Sequence, residues 1–482
     1  MKTLLFLLLI PLLAHAHVGS PNVFFDGKAG PHSVRVVIRP PAALPGAAQI
    51  DVRVAGDGAE RVTVQPVFWS AGESAAPEPT SAAAVDAHLF NASCWLLRRG
   101  SYALRIVVES PLGRGEVAVP LQATPLQTTD LPPALGATLI SLGALLFLSA
   151  MWIAHRAAPR RGLAATTTAL LLAGAVSGGA MRWRKMDRDF RANMLARPSP
   201  VNAEIRTEGE IHRLLLTPPA DSLATWDTLV ADHGKLMHFF LVREPGFTTF
   251  AHLHPARRDA RSFEAVLPPL PPGPHQLYAE LTHENGASET LVGRVEVPAP
   301  LGVAAQTAWT MAYEVWCQSS PTPAGNAAQP SALDPDDSWH AGPAPGVGAR
   351  VSRLMGGGTM VFQNAGDIIA DRETSLRFAV FTPGGEAATL QPYMGMAGHA
   401  VIRRSDGAVF THLHPVGTIS MAAQQIFTAS TATRVPMSPL PGNEITFPYA
   451  FPRAGDYRVW VQVRLDGRVV TGVFDVPVKA RN

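Results

Sequence analysis

Short runs of alternating apolar and polar residues dominate the chain. Residues 33–39 read Ser-Val-Arg-Val-Val-Ile-Arg, and 49–54, 61–68 and 102–109 alternate in the same way. A period of two puts one face of a strand on a core and the other in water. Pro40-Pro41, Pro45-Gly46, Gly56–Gly58 and Arg99-Gly100 punctuate these runs as turns. Residues 17–122 therefore predict one β-sandwich of immunoglobulin type. Residues 200–298 repeat the style, with Gln276–Thr282 and Leu291–Val297 as the last strands. Residues 351–479 predict a third sandwich, closed by Tyr457–Leu465 and Val469–Val478 around an Asp466-Gly467 hairpin turn. The stretch 299–350, rich in Pro, Ala and Gly, reads as a linker. The expected fold class is all-β, with three immunoglobulin-like sandwiches.

Three segments break the alternation. Lys2, the apolar run Leu4–Leu13 and Ala14-His15-Ala16 have the order of a secretory signal peptide over residues 1–16. Leu131–Ala154 and Leu163–Met181 contain no charge and are long enough to cross a bilayer. The connection between them carries Arg156, Arg160 and Arg161, which places it on the cytoplasmic side. The expectation is a transmembrane helical hairpin in a bacterial cytoplasmic membrane, with both large regions on the periplasmic or extracellular side. Arg182, Arg184, Lys185, Arg188 and Arg191 run against that orientation, because they follow the second span on the outer side. Beyond the lipid bilayer, the expected partner is an exported protein that supplies or receives metal.

Composition narrows the function. Forty basic residues nearly balance 38 acidic ones, so the chain lacks the basic excess of a nucleic-acid binder. With two cysteines, neither a disulfide scaffold nor a cysteine-rich zinc site is available. No G-x-S-x-G, P-loop or paired-acid constellation appears.

An internal repeat carries the candidate chemistry. Met237-His238 leads through a turn to His252-Leu253-His254-Pro255. Met394, Met396 and His399 lead through a turn to His412-Leu413-His414-Pro415. Two histidines spaced H-x-H on a strand point to one face, roughly 6–7 Å apart. These stretches hold six of the sixteen histidines. Strand arithmetic places the three imidazoles of each copy together. A two-residue Asp406-Gly407 loop puts His399 opposite His414 and Val401 opposite His412. Around Pro245-Gly246 a three-residue loop or a bulge is needed for His238 to share the face of His252 and His254. Imidazole suits copper, zinc, iron or nickel, and thioether favours Cu(I). Copper is thus the first expectation and zinc the second, on His238, His252, His254, Met237, His399, His412, His414, Met394 and Met396. The plain alternative is histidines hydrogen-bonded on a sheet face with packing methionines.

The stretches Met237–Pro255 and Met394–Pro415, with the run Phe451–Val463, resemble bacterial exported copper-associated proteins with YtkA-like and CopC-like sandwich domains. The resemblance covers about a quarter of the chain and implies periplasmic or surface copper handling through those Met and His positions. Cleavage after Ala16 would make His17 the first mature residue. An α-amine and imidazole on one residue can chelate a metal, as the first histidine of CopC-like proteins and copper oxygenases does. His32 or His88 is the expected companion. Three function classes follow: a tethered copper-sequestering or copper-delivering protein with no enzymatic activity, a copper-dependent oxidative enzyme using His17, and a structural or adhesive array of sandwiches.

Overall fold

A computed structural model describes residues 17–18, 22–56, 59–69, 76–127, 132–157, 161–195, 198–301, 316–317, 333–342, 346–428 and 442–481. The expected signal peptide, 1–16, and most of the expected linker lie outside the described residues.

Among the described residues, six sheets form three face-to-face pairs, each around its own apolar core. In the N-terminal pair, Val23–Ala29, His32–Arg39, Gly46–Val54 and Leu89–Leu96 make the main part of one sheet. Arg61–Phe68, Gly100–Ser110 and Gly113–Ala123 make most of the other. The alternation decides which side chains go inward: Val34, Val36 and Ile38 are buried in one core with Val62, Val64, Leu104 and Ile106. The chain then enters two helices, Pro133–Ala157 and Arg161–Met194. Each contains a stretch long and apolar enough to cross a membrane, and neither stretch is covered by the rest of the chain. The second helix continues past Met181 through the basic run.

The middle and C-terminal pairs share one plan. In each large sheet a hairpin lies beside a longer one. His238–Arg243 and Thr249–Leu253 neighbour Gly273–Thr282 and Ser288–Val297. His399–Arg404 and Val409–Leu413 neighbour Gly455–Leu465 and Arg468–Lys479 in the same order. Part of the expected linker belongs to the fold, because Ser338–Ala341 pairs with Thr249–Leu253 at the sheet edge.

The inner strands are buried along almost their whole length, because each large sheet is covered twice. One face meets its own small sheet. The other meets the large sheet of the neighbouring pair through Phe240, Phe250, Tyr278, Val401, Phe410 and Trp460. Tyr278 stacks on Phe410 at 3.7 Å, and Phe250 stacks on Trp460 at 4.8 Å. These contacts exchange equivalent strands, so the two sheets meet with approximate two-fold symmetry. The N-terminal pair docks on the C-terminal one: Asp26 N donates to Val416 O at 2.8 Å and Thr418 N to Phe24 O at 3.1 Å.

Candidate metal centre

Both hairpins have a register that gathers their imidazoles. Val401 pairs with His412 and Ala400 with Leu413, the register that places His399 opposite His414. In the middle pair, Phe239 pairs with Leu253 and Phe240 with His252, which carries His238 opposite His254 across a connection, residues 244–248, centred on Gly246. One ring nitrogen from each of His238, His252 and His254 lies within 4.8 Å of the other two, and the same holds for His399, His412 and His414.

The two triplets are neighbours rather than separate sites. The His238 and His412 rings are 5.4 Å apart, His252 and His412 5.5 Å, and His252 and His399 6.3 Å. All six rings are buried at the sheet interface.

Hydrogen bonding fixes which nitrogens face one another. His238 Nε2 lies 3.2 Å from Asp232 O, and His399 Nε2 lies 3.4 Å from Tyr393 O. A carbonyl only accepts, so these nitrogens carry the proton and each Nδ1 keeps its lone pair. His252 Nδ1 lies 2.9 Å from Gln462 Oε1, and His254 Nδ1 lies 3.0 Å from Asp337 Oδ1. These acceptors leave the His252 and His254 Nε2 lone pairs free. His238 Nδ1 and His252 Nε2 are only 3.1 Å apart, and His254 Nε2 is buried without a hydrogen-bond partner. Three lone pairs thus converge with no proton left to place between them. In the second triplet, His414 Nδ1 donates to Ile419 O at 3.1 Å and its Nε2 is likewise partnerless.

The outer partners cross the interface reciprocally. Gln462 sits opposite His399 in its sheet and reaches His252 of the other triplet. Glu280 sits opposite His238 and reaches His412, at 3.0 Å from Nδ1. Such partners orient metal-binding imidazoles and set their tautomer. Burial, then the crowding of other imidazoles, holds His238, His252, His399 and His412 well below the usual histidine range. Burial lowers His414 to about 4, and burial with the nearby Asp232 carboxylate lifts Glu280 to about 8. These five rings are therefore neutral at physiological pH, the state a metal ligand requires.

A cavity of about 680 Å³ reaches the centre at His238, His412 and His414, with Asp232, Glu280 and Ser420 on its wall.

Met237 is fully buried in the middle core with Phe239 and Leu241, on the strand face opposite His238. Met394 and Met396 are half-buried in the turn Tyr393–Met396. His17 has its backbone beside Val409, three residues and roughly 10 Å along the strand from His412. His32 bonds Gly113 O at 3.0 Å within the N-terminal pair. Sequence reasoning missed His233, whose ring lies 4.9 Å from His414 and 5.4 Å from His399. Aligning the copies backward from the first histidine exposes it: Asp232-His233-Gly234 matches Tyr393-Met394-Gly395. Asp337 and Gln462 left no such trace, because their contacts span 83 and 210 residues.

A domain of unknown function, DUF8832, matches residues 355–480. No curated protein matches the chain. Among solved structures, an engineered protein is 17% identical over 20% of both chains, with a TM-score of 0.16. The fibronectin(III)-like modules of Clostridium thermocellum CbhA are 9% identical over 55% of this chain and 94% of theirs, with a TM-score of 0.21. Trypsin-activated alpha-2-macroglobulin from Escherichia coli is 9% identical over 97% of this chain and 24% of its own, with a TM-score of 0.18.

Proposed function

We propose that the three sheet pairs are immunoglobulin-type sandwiches, and that the protein is a membrane-tethered, exported metal-binding protein. Its middle and C-terminal sandwiches hold two copper ions side by side, one on each histidine triplet. The observation that carries this reading is the convergence of the His238, His252 and His254 lone pairs in a buried site without a proton to share. An unpaired buried polar group costs about 1–3 kcal/mol, and a cation removes that cost for the whole triplet at once. An all-imidazole set fits copper and zinc, and the divalent affinity order peaks at copper.

Sequestration suits the geometry better than delivery. The ligands are buried and braced by Asp232, Gln462, Asp337 and Glu280, a preorganised set that retains its ion. The cavity beside His238, His412 and His414 favours one further reading, an oxidative copper enzyme with a small substrate at the paired ions. The helix pair supplies the tether. Residues before it bond to residues after it, as Asp26 does to Val416, which suits a hairpin whose two ends emerge on one side of the membrane.

The test is metal content. The full chain, purified in detergent and loaded with copper, is expected to retain two ions. Replacing His238, His252 and His254 by Ala should leave one, and replacing both triplets should leave none. A wild-type chain that retains no copper refutes the reading, and preferential retention of zinc under competition reassigns the metal. Turnover of a reductant with oxygen by the loaded chain would favour the enzymatic reading.

A further inference from the structure

The two triplets are related by an approximate two-fold axis, and one residue breaks that relation at the metal. In both copies a tight turn precedes the first histidine. Asp232 and Lys235 exchange backbone hydrogen bonds of 2.9 Å, and Tyr393 and Met396 exchange bonds of 2.8 and 3.1 Å. The central residues are left-handed in both, with φ of 52° and 82° at His233 and Gly234, and 48° and 77° at Met394 and Gly395. His233 and Met394 therefore hold the same place in the repeat. Left-handed backbone at a residue other than Gly, Asn or Asp is sparsely populated and costs of order 1 kcal/mol or more. Met394 bears the same cost at the same place, so the strain belongs to the turn, and it is the side chain that distinguishes the two copies.

The His233 side chain is only 7% exposed, although it sits at the tip of a turn. Its Nε2 is buried with no hydrogen-bond partner, and the Asp232 carboxylate oxygen, 3.7 Å away, is beyond hydrogen-bond reach. The ring has crossed the sheet interface. It is closer to His414 and His399 of the C-terminal triplet, at 4.9 and 5.4 Å, than to His238 of its own, at 6.2 Å. His414 Nε2 is also partnerless. Two adjacent imidazoles, each with an unsatisfied nitrogen, come from opposite sides of the interface.

We propose that His233 is a fourth imidazole ligand, donated across the interface to the copper ion of the C-terminal triplet. The ion on His399, His412 and His414 then has four nitrogen donors. The ion on His238, His252 and His254 has three, since the equivalent of His233 is Met394. The pair is consequently inequivalent: the C-terminal ion is held more tightly as Cu(II), and the middle ion keeps the position that can accept an exogenous ligand. This rests on the copper-binding reading above and deepens it.

The experiment isolates one ion. In a His252→Ala, His254→Ala background the full chain is expected to bind a single Cu(II) on the C-terminal triplet. Adding His233→Asn or His233→Gly, both compatible with the left-handed backbone, should weaken that ion at least about tenfold in chelator competition, since even outer-shell changes commonly cost about 10–100-fold. The number of imidazole nitrogens coupled to Cu(II) by pulsed electron paramagnetic resonance should fall from four to three. Thermal stability of the apo chain should hold or rise, because the turn strain is relieved. Unchanged affinity with an unchanged nitrogen count overturns the assignment of His233. A wild-type chain that binds no copper fails the parent reading instead, so the two failures are distinguishable.

Discussion

Arg403 is the residue on which the joint between the two large sheets turns. Its side chain is 2% exposed, it donates to Tyr278 Oη at 3.0 Å, and it lies 4.3 Å from the Phe247 ring. Its counter-charge is Glu244, across the interface and 27% exposed. Removing one partner of a fully buried pair costs about 3–5 kcal/mol, because the other charge stays dehydrated. A surface pair is worth about 0–1 kcal/mol. With one buried and one partly wet partner, Glu244→Gln should cost about 2 kcal/mol, between those limits. The expected result is a lower urea midpoint for the detergent-solubilised chain and weaker retention of both metal ions, since the ligands meet at this joint. A midpoint equal to that of wild type would mean that aromatic stacking alone holds the sheets together.

At the scale of elements, the strands and their registers are legible in the sequence because they are local. Asp406-Gly407 and the connection over residues 244–248 set which histidines share a face, and the face-sharing expected of both triplets is what the structure has. The meeting of the two hairpins is not legible in the same way. It depends on Phe240, Phe250 and Tyr278 finding Val401, Phe410 and Trp460, and nothing local selects a partner so far along the chain. One trace was available: His238–Arg243 carries Phe239 and Leu241 on one face and Phe240 and Val242 on the other, the mark of a sheet covered twice. Part of the expected linker was hidden for a related reason, since Pro-rich composition masks the short Ser338–Ala341 strand that follows Asp337. The turn after His414 offers a test at this scale. Gly417 has φ of 124°, and a Cβ there would sit 1.9 Å from Phe24 O of the N-terminal pair. His414 and Gly417 also exchange backbone hydrogen bonds of 2.8 Å. Gly417→Ala should therefore undock the N-terminal pair and loosen His414 together. Limited proteolysis should release the N-terminal region faster, and copper should leave the C-terminal triplet first. Equal proteolysis rates would show that the docking of these pairs does not depend on this approach.

The whole molecule stakes its stability on keeping imidazoles uncharged. His238, His252, His399 and His412 are held well below their ordinary range by burial, and His275, His340 and His414 fall to about 4 for the same reason. An unfolded chain protonates each near pH ~6.5. Below that pH the unfolded state binds more protons than the folded one, so stability is complete above about 6.5 and is lost as the pH falls toward 4. Glu280, raised to about 8, has the opposite sign: its contribution falls as pH rises from about 4.3 to 8. Asp337, also raised by burial, has the same sign as Glu280; these two carboxyls are outnumbered by the histidines, so the net slope in acid follows the imidazoles. The apo chain should melt at nearly the same temperature at pH 7.5 and pH 7, then fall steeply between pH 6.5 and 5. A metal that binds only the neutral rings adds its own free energy to the folded state, so the copper-loaded chain should retain its melting temperature to lower pH than the apo chain. Melting curves of both forms across pH 7.5 to 4.5 check this. A flat apo curve would mean that the imidazoles take up protons without cost, and a loaded curve that superimposes on the apo one would mean that copper does not sit on them.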